Sequence, residues 1–217
     1  MTRRVLRVVL AGLLLGAVLS ACGGNGDSGT ASGSGSGTGT GSEAKATEVT
    51  VKTREYSFQL EGTTFEGGLV ELTLDNSAGK ESHEVDLSRL DDGKTLADFQ
   101  AASEAEGPPP AWVNAAGGPG PVSPGETAVY SANLEPGTYV LRCLIPAPDG
   151  EEHAAKGMMS EVKVTAGETG ELPEADATIS ASEFEFTGID GLKSGEQTVK
   201  FENKGEQAHH AAIVTLA

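Results

Sequence analysis

Pro136-Gly137-Thr138-Tyr139-Val140-Leu141-Arg142-Cys143 is the stretch that decides the fold class. Pro-Gly makes a turn. The six residues after it place Tyr139, Leu141 and Cys143 on one face and Val140 and Arg142 on the other, the period of a strand. Cys143 therefore faces inward at the end of a core strand. Beyond the next loop, Met158, Ser160, Val162 and Val164 share one face, so Met158 begins on the side of two core residues.

The same period recurs outward from this stretch. Val49 and Val51 alternate with polar residues across 48–53, and Val70, Leu72 and Leu74 alternate with Glu71 and Thr73. Residues 127–132 and 160–165 alternate in part. Period-two patterns with Gly and Pro between them predict an all-β protein, an antiparallel sandwich or barrel. Residues 95–104 are the one helix candidate, with Leu96, Phe99 and Ala102 near one face. Residues 107–125 are rich in Pro and Gly and predict a loop, with Trp112, the only tryptophan, as its packing anchor.

The N-terminus is of a different kind. Arg3, Arg4 and Arg7 precede an apolar run over 8–19, which has the form of a secretory leader and is short for a mature membrane span. It ends in Leu19-Ser20-Ala21-Cys22, which resembles a bacterial lipobox, where the leader is cut before the cysteine and the thiol is lipidated. This predicts a leader over 1–21, lipidation at Cys22, and a lipid-anchored protein on the extracytoplasmic face of the cell membrane. Residues 22–46 are mostly Gly, Ser and Thr and form a flexible tether with a reach on the order of 25 Å.

The chain carries a formal net charge of −17. Removal of the leader takes three arginines and no acids, so the mature chain sits near −20, an estimate that argues against binding nucleic acid or an anionic lipid surface. Only two cysteines exist. With Cys22 taken by the anchor, Cys143 has no disulfide partner in the chain and is a metal ligand, a reactive thiol or a small buried hydrophobe.

His83, Cys143, His153 and the pair Met158/Met159 are the soft ligands of this domain. Beyond them the chain's only other His or Met residues are the initiator Met1 and the pair His209-His210. One thiolate, two imidazoles and a weak thioether are the ligand set of a type 1 copper site, whose geometry suits both oxidation states. The order His83, Cys143, His153, Met158 resembles the cupredoxin family, which includes plastocyanin and the copper nitrite reductases. Asn76, Ser82-His83-Glu84-Val85 and Pro136-Gly137-Thr138-Tyr139 are similar to the strands that support the ligands there. The resemblance spans 47–166. It implies a cupredoxin-like Greek-key β-sandwich in which His83, Cys143 and His153 are equatorial copper ligands and Met158 is axial. Met159 is the alternative axial residue. Nine residues separate Cys143 from His153, more than in many small blue copper proteins and similar to the nitrite reductases.

Residues 175–217 repeat 47–90. Glu55-Tyr56-Ser57-Phe58 corresponds to Glu183-Phe184-Glu185-Phe186, and Asn76 and His83 lie as far apart as Asn203 and His210. This predicts a cupredoxin-like domain over 47–167 and an incomplete second repeat over 175–217, without a Cys-His-Met segment of its own. The expected function is a membrane-anchored one-electron carrier with a redox protein partner. The alternatives are a metal-free binding module of the cell envelope and a copper sequestration or delivery protein. Arg142 and Leu144 flank Cys143 and no His-x-His occurs, so a catalytic copper lacks ligands and no enzyme is expected, unless residues beyond 217 supply them.

Overall fold

The computed structural model describes residues 5–10, 44–105 and 107–213, the side chains of 5–10 excepted. In chain order its strands are β1 (Val5–Leu10), β2 (Thr47–Arg54), β3 (Ser57–Gln59), β4 (Thr64–Glu66), β5 (Gly68–Asp75), β6 (Asp86–Leu90), β7 (Val113–Gly117), β8 (Thr127–Leu134), β9 (Gly137–Arg142), β10 (Met159–Thr165), β11 (Ala177–Ser182), β12 (Glu185–Thr187) and β13 (Thr198–Asn203). The helix α1 (Leu96–Ser103) lies between β6 and β7.

Two sheets face each other. One contains β3-β2-β5-β8, the other β4-β10-β9-β6-β7. Alternation explains what lies between them. Val51, Val70, Leu72, Leu74, Ala128, Tyr130 and Ala132 come from the first sheet, and Leu87, Tyr139, Leu141, Val162 and Val164 from the second. Each Val or Leu side chain among them contributes about 1.5–3 kcal/mol when fully buried, and the sandwich is held chiefly by this layer. The mixed ladder differs from the antiparallel sheet expected. β5 pairs antiparallel with β8 but parallel with β2. The reason is topological: after β3 the chain crosses to the other sheet as β4, paired with β10, and returns in the direction of β2.

The reverse face of the second sheet carries its own cluster. Val140, which points away from Tyr139 and Leu141, meets Leu90 and Phe99, with Leu96, Trp112, Val113 and Met159 packed around them. Thr95 caps α1 in a reciprocal box: its Oγ1 accepts from the Asp98 N–H and its own N–H donates to Asp98 Oδ2 at 3.0 Å. Trp112 is a packing anchor here, with the Lys94 ammonium 4.8 Å over its ring.

The repeat holds in detail over β11, β12 and β13. Tyr56 and Phe184 are the two non-glycine residues with positive φ among the described residues, each at the tip of its hairpin. Glu55 Oε1 accepts from the backbone N–H groups of Lys80 and Glu81, and Glu183 Oε1 accepts from those of Glu206 and Gln207. Asn76 Nδ2 donates to the Glu81 carbonyl at 2.9 Å, and Asn203 Nδ2 to the Gln207 carbonyl at 2.7 Å. β13 pairs parallel with β11 as β5 does with β2. In the place β8 occupies beside β5, β13 has β1, which also pairs with β8 and joins the two units into one eight-stranded sheet. β1 falls within the stretch read as a leader. The rest of that stretch, Cys22 and the tether up to residue 43 lie outside the described residues. Ile179, Ala181, Val199 and Phe201 form the small core of the repeat, while Phe184 and Phe186 are exposed.

Candidate metal centre

Three separate segments bring His83, Cys143 and His153 together. His83 follows β5 in a segment fixed from both sides. Its N–H donates to the Val122 carbonyl at 3.1 Å and its carbonyl accepts from the Val122 N–H at 2.8 Å. The fully buried Asn76 ties this segment down. Its Nδ2 donates to the carbonyls of Glu81 and Val122, both at 2.9 Å, and its Oδ1 accepts from Thr53 Oγ1 at 2.6 Å. Cys143 directly follows β9 with its side chain inward, as the alternation from Tyr139 requires, and its Sγ accepts the Glu84 N–H at 3.5 Å.

The nine-residue loop between Cys143 and His153 does not carry the histidine away. It folds back on itself as a small hairpin. Pro146 bridges Glu152, the Ala147 N–H donates to the Glu151 carbonyl, and the Gly150 N–H closes the turn on the Ala147 carbonyl. The base of the hairpin is pinned by His153 N–H to the Ile145 carbonyl at 2.9 Å and Ala154 N–H to the Cys143 carbonyl at 2.8 Å. A loop closed this way leaves its ends where a short loop would.

The result is a triangle of donor atoms. His83 Nδ1 lies 3.1 Å from His153 Nδ1, Cys143 Sγ lies 3.4 Å from His153 Nδ1, and it lies 4.0 Å from His83 Nδ1. All three side chains are buried. A triangle with these sides has a circumradius of about 2.1 Å, so one point is equidistant from all three atoms. Zinc–imidazole bonds are about 2.0–2.1 Å and zinc–thiolate bonds about 2.3 Å, so the space fits a first-row metal ion.

The electrostatics suit a metal site. Burial, then the neighbouring His153, holds His83 below the usual histidine range. Burial pushes the Cys143 thiol up to about 11 and also raises Glu84. His83 Nε2 is buried with no hydrogen-bond partner among the described residues. Two imidazole nitrogens and a sulfur facing one point are what a thiolate-binding metal requires, and its binding would displace the Cys143 proton.

Met158 is also fully buried. Its N–H donates to the His153 carbonyl at 2.9 Å and its carbonyl accepts the Cys143 N–H at 3.2 Å, so its backbone is tied to both ligands. Met159 packs instead against the Leu90, Phe99 and Val140 cluster. His210 is exposed and stands apart from the triangle. Glu81 was invisible in the sequence, one loop acid among 32 acidic residues. Its Oε2 lies 2.9 Å from His153 Nε2.

No protein-family profile matches the chain, and no curated protein matches it. Solved structures do. Reduced auracyanin from Roseiflexus castenholzii is 21% identical over 56% of this chain and 99% of its own, with a TM-score of 0.38. Rusticyanin from Thiobacillus ferrooxidans is 20% identical over 56% of this chain and 78% of its own, also at 0.38. Copper nitrite reductase from Nitrosomonas europaea is 20% identical over 76% of this chain and 70% of its own, at 0.32. With TM-scores below 0.5 these likenesses lend no weight to an activity, and the ligand group stands on the chain's own geometry. On that geometry the protein is a β-sandwich of two facing sheets whose buried His83, Cys143 and His153 could hold a metal ion.

Proposed function

We propose that the chain is a copper-binding one-electron carrier, anchored through Cys22 to the extracytoplasmic face of a bacterial membrane. The buried triangle of His83 Nδ1, Cys143 Sγ and His153 Nδ1 carries this reading. His83, Cys143, His153 and Met158 would hold the copper. Bound there, copper supplies one-electron exchange. The chain holds the donors in place before the metal arrives, through the Val122, Asn76 and Ile145 hydrogen bonds. It excludes water by burying all three, so a change of oxidation state requires little rearrangement.

We read the protein as a carrier and not a catalyst. Arg142, paired to Asp86 at 2.8 Å, and Leu144 occupy the two positions beside Cys143. The lipobox-like segment and the tether support a head that samples a redox protein partner near the membrane.

The test is copper titration of the chain from Glu43 onward, read by visible absorption and electron paramagnetic resonance. The expected result is an intense thiolate-to-copper band saturating at one equivalent and absent from Cys143→Ala and His153→Ala. A folded protein that takes up no copper tightly would sink the reading.

A further inference from the structure

The two histidines of the triangle are not treated alike. His83 Nε2 has no hydrogen-bond partner among the described residues, whereas His153 Nε2 meets the Glu81 carboxylate at 2.9 Å. Glu81 is itself held. Its N–H donates to Glu55 Oε1 at 3.3 Å, its carbonyl accepts from Asn76 Nδ2, and its Oε1 accepts the Tyr56 hydroxyl at 3.3 Å. The Tyr56 ring then stands edge-on to His153, 5.0 Å between centroids, and the Lys156 ammonium lies 5.4 Å from the Tyr56 ring centre. Lys156 is paired in turn with Asp149 and Glu151 of the hairpin loop. His153 is sealed at 0% exposure, while the Glu81 side chain against it keeps 26%.

We propose that Glu81 is a positioning residue of the metal centre, which orients His153 and stabilises the higher oxidation state of a bound copper. The redox half of this role rests on copper occupying the triangle. A carboxylate can only accept, so the proton of neutral His153 sits on Nε2 and the Nδ1 lone pair points into the triangle. In the metal-free protein the His83 Nδ1–H then donates to His153 Nδ1 across the 3.1 Å gap. With copper bound, the same carboxylate makes His153 a stronger donor and places a negative charge one ring away. Both effects favour Cu(II) over Cu(I). Tyr56 keeps Glu81 in place and closes the edge of the ring to water.

The experiment compares the wild type with Glu81→Gln, Glu81→Ala and, as a remote loss of one exposed carboxylate, Glu61→Gln. The first readout needs no copper. Nitrogen-15 NMR of the metal-free proteins should show His153 as the Nε2–H tautomer in the wild type, and a shift toward Nδ1–H in Glu81→Ala. The second is competition titration with Cu(II) and Cu(I) chelators. Glu81→Gln should weaken Cu(II) by about 10- to 100-fold, the range for outer partners of metal-bound histidine, and Cu(I) by less. Each tenfold difference raises the one-electron potential by about 59 mV. Glu61→Gln should match the wild type.

An Nδ1–H His153 in the wild type, or a tautomer unmoved in Glu81→Ala, overturns the positioning role. Equal losses of Cu(II) and Cu(I) in Glu81→Gln overturn the redox role. A wild type that takes up no copper overturns the carrier reading and the redox role with it, and the tautomer measurement then decides the positioning role alone.

Discussion

The Nδ1 atoms of His83 and His153, seventy residues apart in sequence, lie 3.1 Å apart inside the folded chain. Two lone pairs at that distance repel unless a proton or a cation lies between them. The fold supplies the closeness, the His83 Nδ1 proton bridges it in the metal-free chain, and a bound metal ion would take that proton's place. Binding to the folded chain alone should stabilise it by about 2.7 kcal/mol at a free copper concentration a hundred times Kd. Urea unfolding with and without copper measures this, and His153→Ala should gain much less.

Asn76 is the structural partner of the His83 segment. Asn76→Leu removes three hydrogen bonds, strands the Glu81 carbonyl and leaves the Val122 carbonyl with the His83 N–H alone. At about 1–3 kcal/mol for the stranded group and about 0.5–1.5 kcal/mol for each of the other two hydrogen bonds, the expected loss is roughly 2–6 kcal/mol by denaturant titration. Gly79→Ala should act on the same residue, because a Cβ there collides with Asn76 Oδ1 and crowds the His83 ring.

Leu141 sits two residues before Cys143 and is buried in the layer between the sheets. Leu141→Ala should cost about 2–5 kcal/mol, as large-to-small core changes do. A urea midpoint unchanged from wild type would mean that β9 is not packed as described.

Glu183 gives the pH prediction. Backbone N–H groups of Gln207 and Glu206, with His209 at 3.5 Å, hold its carboxyl at about 2. Unfolded, it would titrate near the usual value of about 4.3. Its contribution to the repeat is therefore complete above that value and is lost as pH falls through about 2. Carboxyl carbon-13 NMR should place its midpoint near 2. Glu183→Gln should flatten the loss of β13 amide protection over that acid range.

The alternation of Tyr139, Leu141 and Cys143, and of Val70, Leu72 and Leu74, made the sandwich and the inward cysteine legible in the sequence. Side-chain period is a local property, set by the pleat of a single strand. The set His83, Cys143, His153 was legible because soft ligands are otherwise scarce in this chain. The repeat was legible as matched spacing, and the paired Glu55 and Glu183 hydrogen bonds show what that spacing maintains. Tertiary structure decided the rest. The parallel pairing of β2 with β5 depends on β4 crossing to the other sheet, which no local pattern records. The long loop before His153 became compatible with the triangle only through its own hairpin, closed by backbone groups that side-chain patterns do not reveal. Glu81 acquired a partner only when residues 81 and 153 met across the fold, because a single carboxylate on a loop carries no period and its significance depends on what stands opposite it.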